Sequence, residues 1–183
     1  MKTLVILSHP NLASSVANRT VVEEFKKSSQ NITIRHLEDL YQGYTIDVAA
    51  EQAALLATDT IIFQFPFYWY SSPPALKNWI DQVFDYNFAY GPEGDKIKGK
   101  NLIISTTLGG PQEAYLPLGY NHFRVGELLR PFEQTAYLTG LNYIEPIFTH
   151  RCVFSPEANN KTEVEERARS HAKRVLEQLS QLA

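Results

Sequence analysis

The chain has 183 residues, 44% hydrophobic and 12% aromatic, which predicts one domain with a well-filled core. Its 17 basic and 20 acidic residues leave a formal net charge of -3, which excludes the basic face of a general nucleic-acid binder. The single cysteine, Cys152, excludes an internal disulfide and fits a reducing compartment.

The N-terminus, MKTLVILSHP, has one Lys and then a short apolar run from Leu4 to Leu7. That is too short for a signal peptide and predicts a buried strand. No run approaches the ~18 apolar residues of a membrane-spanning helix. A cytoplasmic location is expected.

Residues 3 to 7 are apolar without alternation, the pattern of a strand buried on both faces. Ser8 to Ser15 is a polar loop holding Pro10. From Ser15 to Ser28, Val16, Ala17, Val21, Val22 and Phe25 follow helical spacing. Residues 31 to 37 alternate and predict an edge strand. Glu38 to Tyr44 is a connection with an aromatic patch. Asp47 to Ala57 predicts a short helix, acidic at its start as the macrodipole favours.

A buried strand follows at 59 to 65 and runs into the aromatic cluster Phe63, Phe65, Phe67, Tyr68, Trp69 and Tyr70. Ser72 as N-cap and Pro73 at the first helical position predict the next helix, with Leu76, Trp79, Ile80 and Val83 as its buried stripe. Residues 85 to 99 are a long loop. Asn101 to Thr107 is a fourth strand, closed by Leu108, Gly109, Gly110 and Pro111, and 111 to 124 is irregular. Val125 to Leu138 predicts a helix with Pro131 near its first turns or kinking it. Residues 141 to 149 are a fifth strand, placed near an edge by Pro146. Thr162 and Glu165 form a capping-box pattern before the stripe Val164, Ala168, Ala172, Val175, Leu179 and Leu182.

Alternating strands and helices predict a three-layer α/β fold of flavodoxin-like topology, a five-stranded parallel sheet in order 2-1-3-4-5. A six-stranded Rossmann sheet is the alternative, for which the chain is short. In the first order the loops 8–15, 66–72 and 107–115 meet at the carboxyl edge, at the switch point.

The first of these loops has no glycine, which excludes a dinucleotide fingerprint or a P-loop there. It ends at a helix N-terminus, an anion site by geometry. Ser15 and Asn18, one turn apart, are candidate phosphate donors, and His9 adds another. The competing reading is a simple N-cap. The aromatic loop suits a flat amphipathic ring such as a flavin, or else a protein interface. Gly109 and Gly110 let backbone approach a ligand closely, or form a turn. Tyr115 and His122 are donors for an oxygen that becomes negative on reduction. His36, His150 and His171 read as structural or solvated. No metal-ligand spacing and no nucleophile elbow is present.

Four blocks carry a resemblance. They are Ser8-His9-Pro10 with Ser15 and Asn18; Phe63 to Tyr70 with Pro74-Ala75-Leu76-Lys77 and Trp79; Phe88-Ala89-Tyr90; and Thr106-Thr107 with Gly109-Gly110 and Tyr115. Together the chain resembles the flavodoxin-like NAD(P)H:quinone oxidoreductases. Thr45 to Gln52 is most similar to the ancillary oxidoreductases of bacterial glutathione-regulated potassium-efflux systems.

The resemblance implies a flavin phosphate held by His9 and by Ser15, Val16, Ala17 and Asn18. Pro66, Phe67, Tyr68 and Trp69 would hold the ring, with Thr107, Leu108, Gly109 and Gly110 on its other edge. Tyr115 would be catalytic, and Tyr90 would line the substrate pocket of the partner in a homodimer. It implies FMN, with FAD as the alternative, and NAD(P)H as co-substrate for two-electron quinone reduction by a ping-pong route. A potassium-efflux transporter would be a partner at the inner face of the membrane. Leu108 interrupts the family's Thr-Thr-Gly-Gly run. Asn121 stands where mammalian-type members carry a catalytic His, with His122 one position later. The competing classes are a transporter's regulatory subunit, a one-electron carrier and a non-enzymatic binding module.

Overall fold

A computed structural model of the chain describes residues 1–182. Strands β1 (Thr3–Leu7), β2 (Ile32–His36), β3 (Thr60–Pro66), β4 (Asn101–Thr107) and β5 (Asn142–Thr149) form one parallel sheet in the order 2-1-3-4-5. The expected order and strand positions hold.

The central strands β1, β3 and β4 are buried on both faces because their side chains alternate between two apolar layers. Leu4, Ile6, Ile61, Phe63, Phe65, Leu102 and Ile104 pack under the helices α3 (Val48–Leu56), α4 (Pro74–Val83), α5 (Val125–Leu128) and α6 (Arg130–Thr139). Val5, Leu7, Ile62, Ile103 and Ile147 pack against α1 (Val16–Lys27) and α7 (Lys161–Leu182). Toward the carboxyl edge this second face turns polar, with Gln64, Ser105 and His171 all fully buried.

Several boundaries differ from expectation. Helix α4 takes Pro73 as its cap and Pro74 as its first residue, one position later than predicted, so Ser72 stays outside. The predicted 125–138 helix divides at Leu129, because Pro131 fits the first turn of a new helix rather than the interior of a continuing one. The capping box at Thr162 does not form. Helix α7 already includes Lys161, and Glu165 instead pairs with Arg169 at 3.1 Å. The connection after β2 contains the single-turn helix α2 (Leu37–Leu40). Edge strand β5 pairs with β4 through a register shift between Ile103 and Ser105, opposite Pro146, whose missing N–H cannot join a regular ladder.

One carboxylate sets the α3 layer. Glu51 is fully buried yet accepts from Trp79 Nε1 at 2.8 Å, from Arg35 Nε at 2.7 Å and from the Tyr41 hydroxyl. It thereby joins α3 to α4 and β2. No helix among the described residues is long and apolar enough to cross a membrane.

Candidate active site

The three loops singled out in the sequence converge at the carboxyl edge of β1, β3 and β4. They line a cavity of about 240 Å³ with His9, Ser15, Val16, Asn18, Pro66, Phe67, Tyr68, Thr107, Leu108 and Gly109 in its wall. A second cavity of about 260 Å³ adjoins it, sharing Phe67 and Gly109 and adding Trp69, Tyr70, Gly110, Tyr115, Tyr120 and Asn121. No carboxylate among the described residues lines either cavity.

The first cavity is a set of donors. Ser15 caps α1, its Oγ accepting the Asn18 N–H at 3.1 Å, which leaves its own hydroxyl proton free. The Val16 and Ala17 N–H groups sit in the first turn, where the helix supplies no acceptor. His9 Nδ1 accepts the Asn11 N–H at 3.1 Å, so the ring proton sits on Nε2. Burial, with His36 nearby, pushes the His9 imidazole down to about 4, so it is a neutral donor. Helix start, hydroxyls and imidazole together fit a phosphate. Asn18 plays a different part from the one expected. Its side chain is 2% exposed, donates to Thr107 Oγ1 at 3.0 Å and accepts from Gln64 Nε2 at 2.9 Å.

The second cavity is aromatic. Phe67 N–H continues the sheet by donating to Thr107 O at 2.9 Å, and the chain then reverses at once. Tyr68 and Ser71 exchange two backbone hydrogen bonds around Trp69 and Tyr70, which hold φ of 48° and 64°. Tight two-residue turns of this kind favour Asn-Gly, so two bulky aromatics here are strained. Trp69 is 91% exposed in the single chain. Tyr70 is held by a bond from its hydroxyl to Asn121 Oδ1 at 3.0 Å.

Gly109 and Gly110 form the facing wall. A Cβ on Gly109 would lie 2.8 Å from Val153 Cγ2, so a larger residue would have to displace that exposed side chain. Leu108 does not offer its backbone to a ligand. Its N–H donates to Thr149 O, its C=O accepts from Cys152 N–H, and its side chain is in the core. The leucine in the expected Thr-Thr-Gly-Gly run is thus a packing residue. Tyr115 is buried between Phe67, at 6.3 Å between ring centroids, and His150, at 5.4 Å. Burial, with Tyr120 and Tyr70 nearby, holds its phenol above the ordinary value, so it is a protonated donor at neutral pH.

His122 is exposed, in a left-handed turn, and borders neither cavity. His150, read from sequence as structural or solvated, is the histidine beside Tyr115, and its Nδ1 donates to Gly110 O at 3.2 Å. Tyr90 is exposed and packs edge-on against Tyr86 at 5.7 Å, outside both cavities of the single chain. Sequence reasoning missed Cys152 and Phe154, which close the first cavity from the segment after β5. The strand order carried that signal, since the loop after β5 neighbours the loop after β4. Burial pushes the Cys152 thiol up to about 12, so it serves as a neutral wall. The described residues hold no metal-ligating cluster.

Comparison with known proteins identifies relatives of the chain. The flavodoxin-like fold family model matches residues 1–175. The uncharacterized NAD(P)H oxidoreductase YdeQ of Bacillus subtilis is 44% identical over 151 residues, covering 82% of this chain and 76% of that protein. The general stress protein 14 of Treponema denticola, solved in complex with FMN, is 36% identical, covers both chains completely and superposes with a TM-score of 0.88. An NADPH-quinone reductase structure from P. pentosaceus is 32% identical over 94% of this chain and 96% of that one, with a TM-score of 0.79. This chain belongs to the flavodoxin-like NAD(P)H oxidoreductase and quinone reductase family.

Proposed function

We propose that the chain is an FMN-dependent NAD(P)H:quinone oxidoreductase, built as one domain and working as a homodimer. The observation that carries this reading is the pair of adjoining cavities. One is lined by donors at a helix start and the other by aromatic rings and glycines, and they share Phe67 and Gly109. That division matches the phosphate and the ring of a flavin mononucleotide. When bound, FMN supplies a ring that takes a hydride from NAD(P)H and passes it to a quinone in a second half-reaction.

The protein's own part is binding and orientation. Ser15, Val16, Ala17 and His9 hold the phosphate. Pro66 to Trp69 and Gly109-Gly110 enclose the ring. Tyr115, kept protonated by burial, donates to an oxygen that gains charge on reduction. The turn at Trp69-Tyr70 projects a ring into solvent, which a partner subunit covers; Tyr90 reaches the substrate pocket of that partner. The enzyme reading is advanced over a transporter-bound regulatory subunit because the residues singled out, His122 and Tyr90 apart, converge on cavities rather than on an outer patch.

Purified protein is expected to be yellow and to bleach when NADPH is added without oxygen. A colourless protein that takes up no FMN would sink the reading. Tyr115→Phe is expected to lower quinone turnover about tenfold, the effect of one lost donor to developing charge, while FMN stays bound. Unchanged turnover in that variant removes Tyr115 from the reaction.

A further inference from the structure

Beneath the first cavity, a single file of hydrogen-bonded side chains crosses the α7 face of the sheet. Arg174 Nη2 donates to Thr149 Oγ1 at 2.6 Å. Thr149 Oγ1 lies 2.8 Å from His171 Nδ1, and His171 Nε2 lies 2.7 Å from Ser105 Oγ. Ser105 Oγ meets Gln64 Oε1 at 2.6 Å, Gln64 Nε2 meets Asn18 Oδ1 at 2.9 Å, and Asn18 Nδ2 meets Thr107 Oγ1 at 3.0 Å. The file runs from the last helix to the cavity wall. His171, Ser105 and Gln64 are fully buried and border no part of that wall.

The outer end favours one direction. A guanidinium only donates, so Thr149 Oγ1 accepts from it and has its own proton left for His171 Nδ1. A neutral imidazole accepting at Nδ1 carries its proton on Nε2, and burial together with Arg174 holds His171 neutral, pushed down to about 3. Its Nε2–H then donates to Ser105, whose hydroxyl donates to the Gln64 carbonyl oxygen. The Gln64 amide nitrogen donates to the Asn18 carbonyl oxygen, and the Asn18 amide nitrogen donates to Thr107. Each donor therefore points toward the cavity. At the last step Thr107 Oγ1 is an acceptor for Asn18, which leaves its own proton for the cavity.

We propose that this file is a polarity lock, in which Arg174 and His171 commit the Thr107 hydroxyl to donate into the cavity and thereby position the ligand seated there. Taking that ligand as FMN rests on the function proposed above; the direction of the file does not. His171 is a positioning residue, acting through Ser105, Gln64 and Asn18 on a group it never touches. The device supplies a proton for a ligand with an acceptor oxygen at Thr107.

Two measurements test it. The first is the tautomer of His171 in ¹⁵N-labelled, ligand-free protein, read from the two ring-nitrogen shifts. The proton is expected on Nε2, and a proton on Nδ1 overturns the lock. The second is the FMN dissociation constant of Ser105→Ala, Thr107→Val and their double variant, alongside Thr107→Ser. Breaking the file at Ser105 and removing its terminal donor are each expected to weaken binding about tenfold, with the double variant no weaker than Thr107→Val alone and Thr107→Ser near wild type. Additive losses, or wild-type affinity in folded Ser105→Ala, overturn the lock. If Ser105→Ala does not fold, the tautomer decides alone. A wild-type chain that binds no FMN overturns the flavin reading instead, and the tautomer still judges the lock.

Discussion

At the scale of single residues, the strained turn at Trp69-Tyr70 separates stability from binding. Left-handed φ at two consecutive bulky residues costs about 1 kcal/mol or more at each. Replacing Trp69-Tyr70 by Asn-Gly, the pair such a turn favours, is expected to raise the unfolding free energy by roughly 1–2 kcal/mol in urea titration. The same change removes two rings from the second cavity, so FMN binding or quinone turnover is expected to fall. A variant both more stable and fully active would show the aromatics to be incidental. The two histidines near the site divide in the same way. His150 packs on Tyr115 and holds Gly110, whereas His122 faces solvent. His150→Ala is expected to lower turnover several-fold with Tyr115 left less constrained, and His122→Ala to leave it within about twofold. Steady-state rates that reversed this ranking would return the role to His122.

At the scale of elements, Glu51 joins α3 to α4 and β2. Its removal leaves the Trp79 N–H buried and unpaired and frees Arg35 from its partner. Glu51→Ala is expected to cost about 3–5 kcal/mol in urea unfolding, and Glu51→Gln distinctly less because its amide keeps an acceptor for Trp79. Equal losses in the two variants would show that charge, not the acceptor, organises the layer. Glu51 also shows what sequence hides. Its helix was legible from an acidic start, but nothing local marked Glu51 as fully buried. The central strands were legible because burial on both faces leaves unbroken apolar runs, and the edge strands from alternation in β2 and from Pro146 in β5. The division of α5 from α6 was half legible, since Pro131 marked the place but not whether the chain would bend or restart. Likewise the three site loops were readable from strand order; the same order put the segment after β5 beside the loop after β4, but the pairing of Leu108 with Thr149 and Cys152 that brings Cys152 and Phe154 to the cavity is encoded by no spacing.

At the scale of the whole molecule, buried neutral histidines make stability depend on pH. His9 is pushed down to about 4 and His171 to about 3, from an ordinary value of 6.5. Both shifts are depressions, so the unfolded chain binds protons that the folded chain refuses between pH 6.5 and those values. Stability is therefore full above pH 6.5 and falls as pH drops below it, approaching about 1.4 kcal/mol per pH unit for each histidine once the unfolded side is protonated. His150, also depressed by burial, adds in the same direction. The carboxylates held low, Glu113 by a backbone hydrogen bond and then Arg151, Glu133 by Tyr137 and then Arg130, have ordinary values of 4.5 and contribute only at lower pH. The interval from pH 6.5 to 5 thus belongs to the histidines. Urea unfolding of the ligand-free protein at steps across that interval is expected to show declining stability. His171→Asn, whatever its cost at pH 7, removes one titrating group and is expected to flatten the decline. An unaltered slope in that variant would mean that His171 already binds a proton in the folded state, and a charged imidazole there would donate from Nδ1 as well, reversing the Thr149 end of the file described.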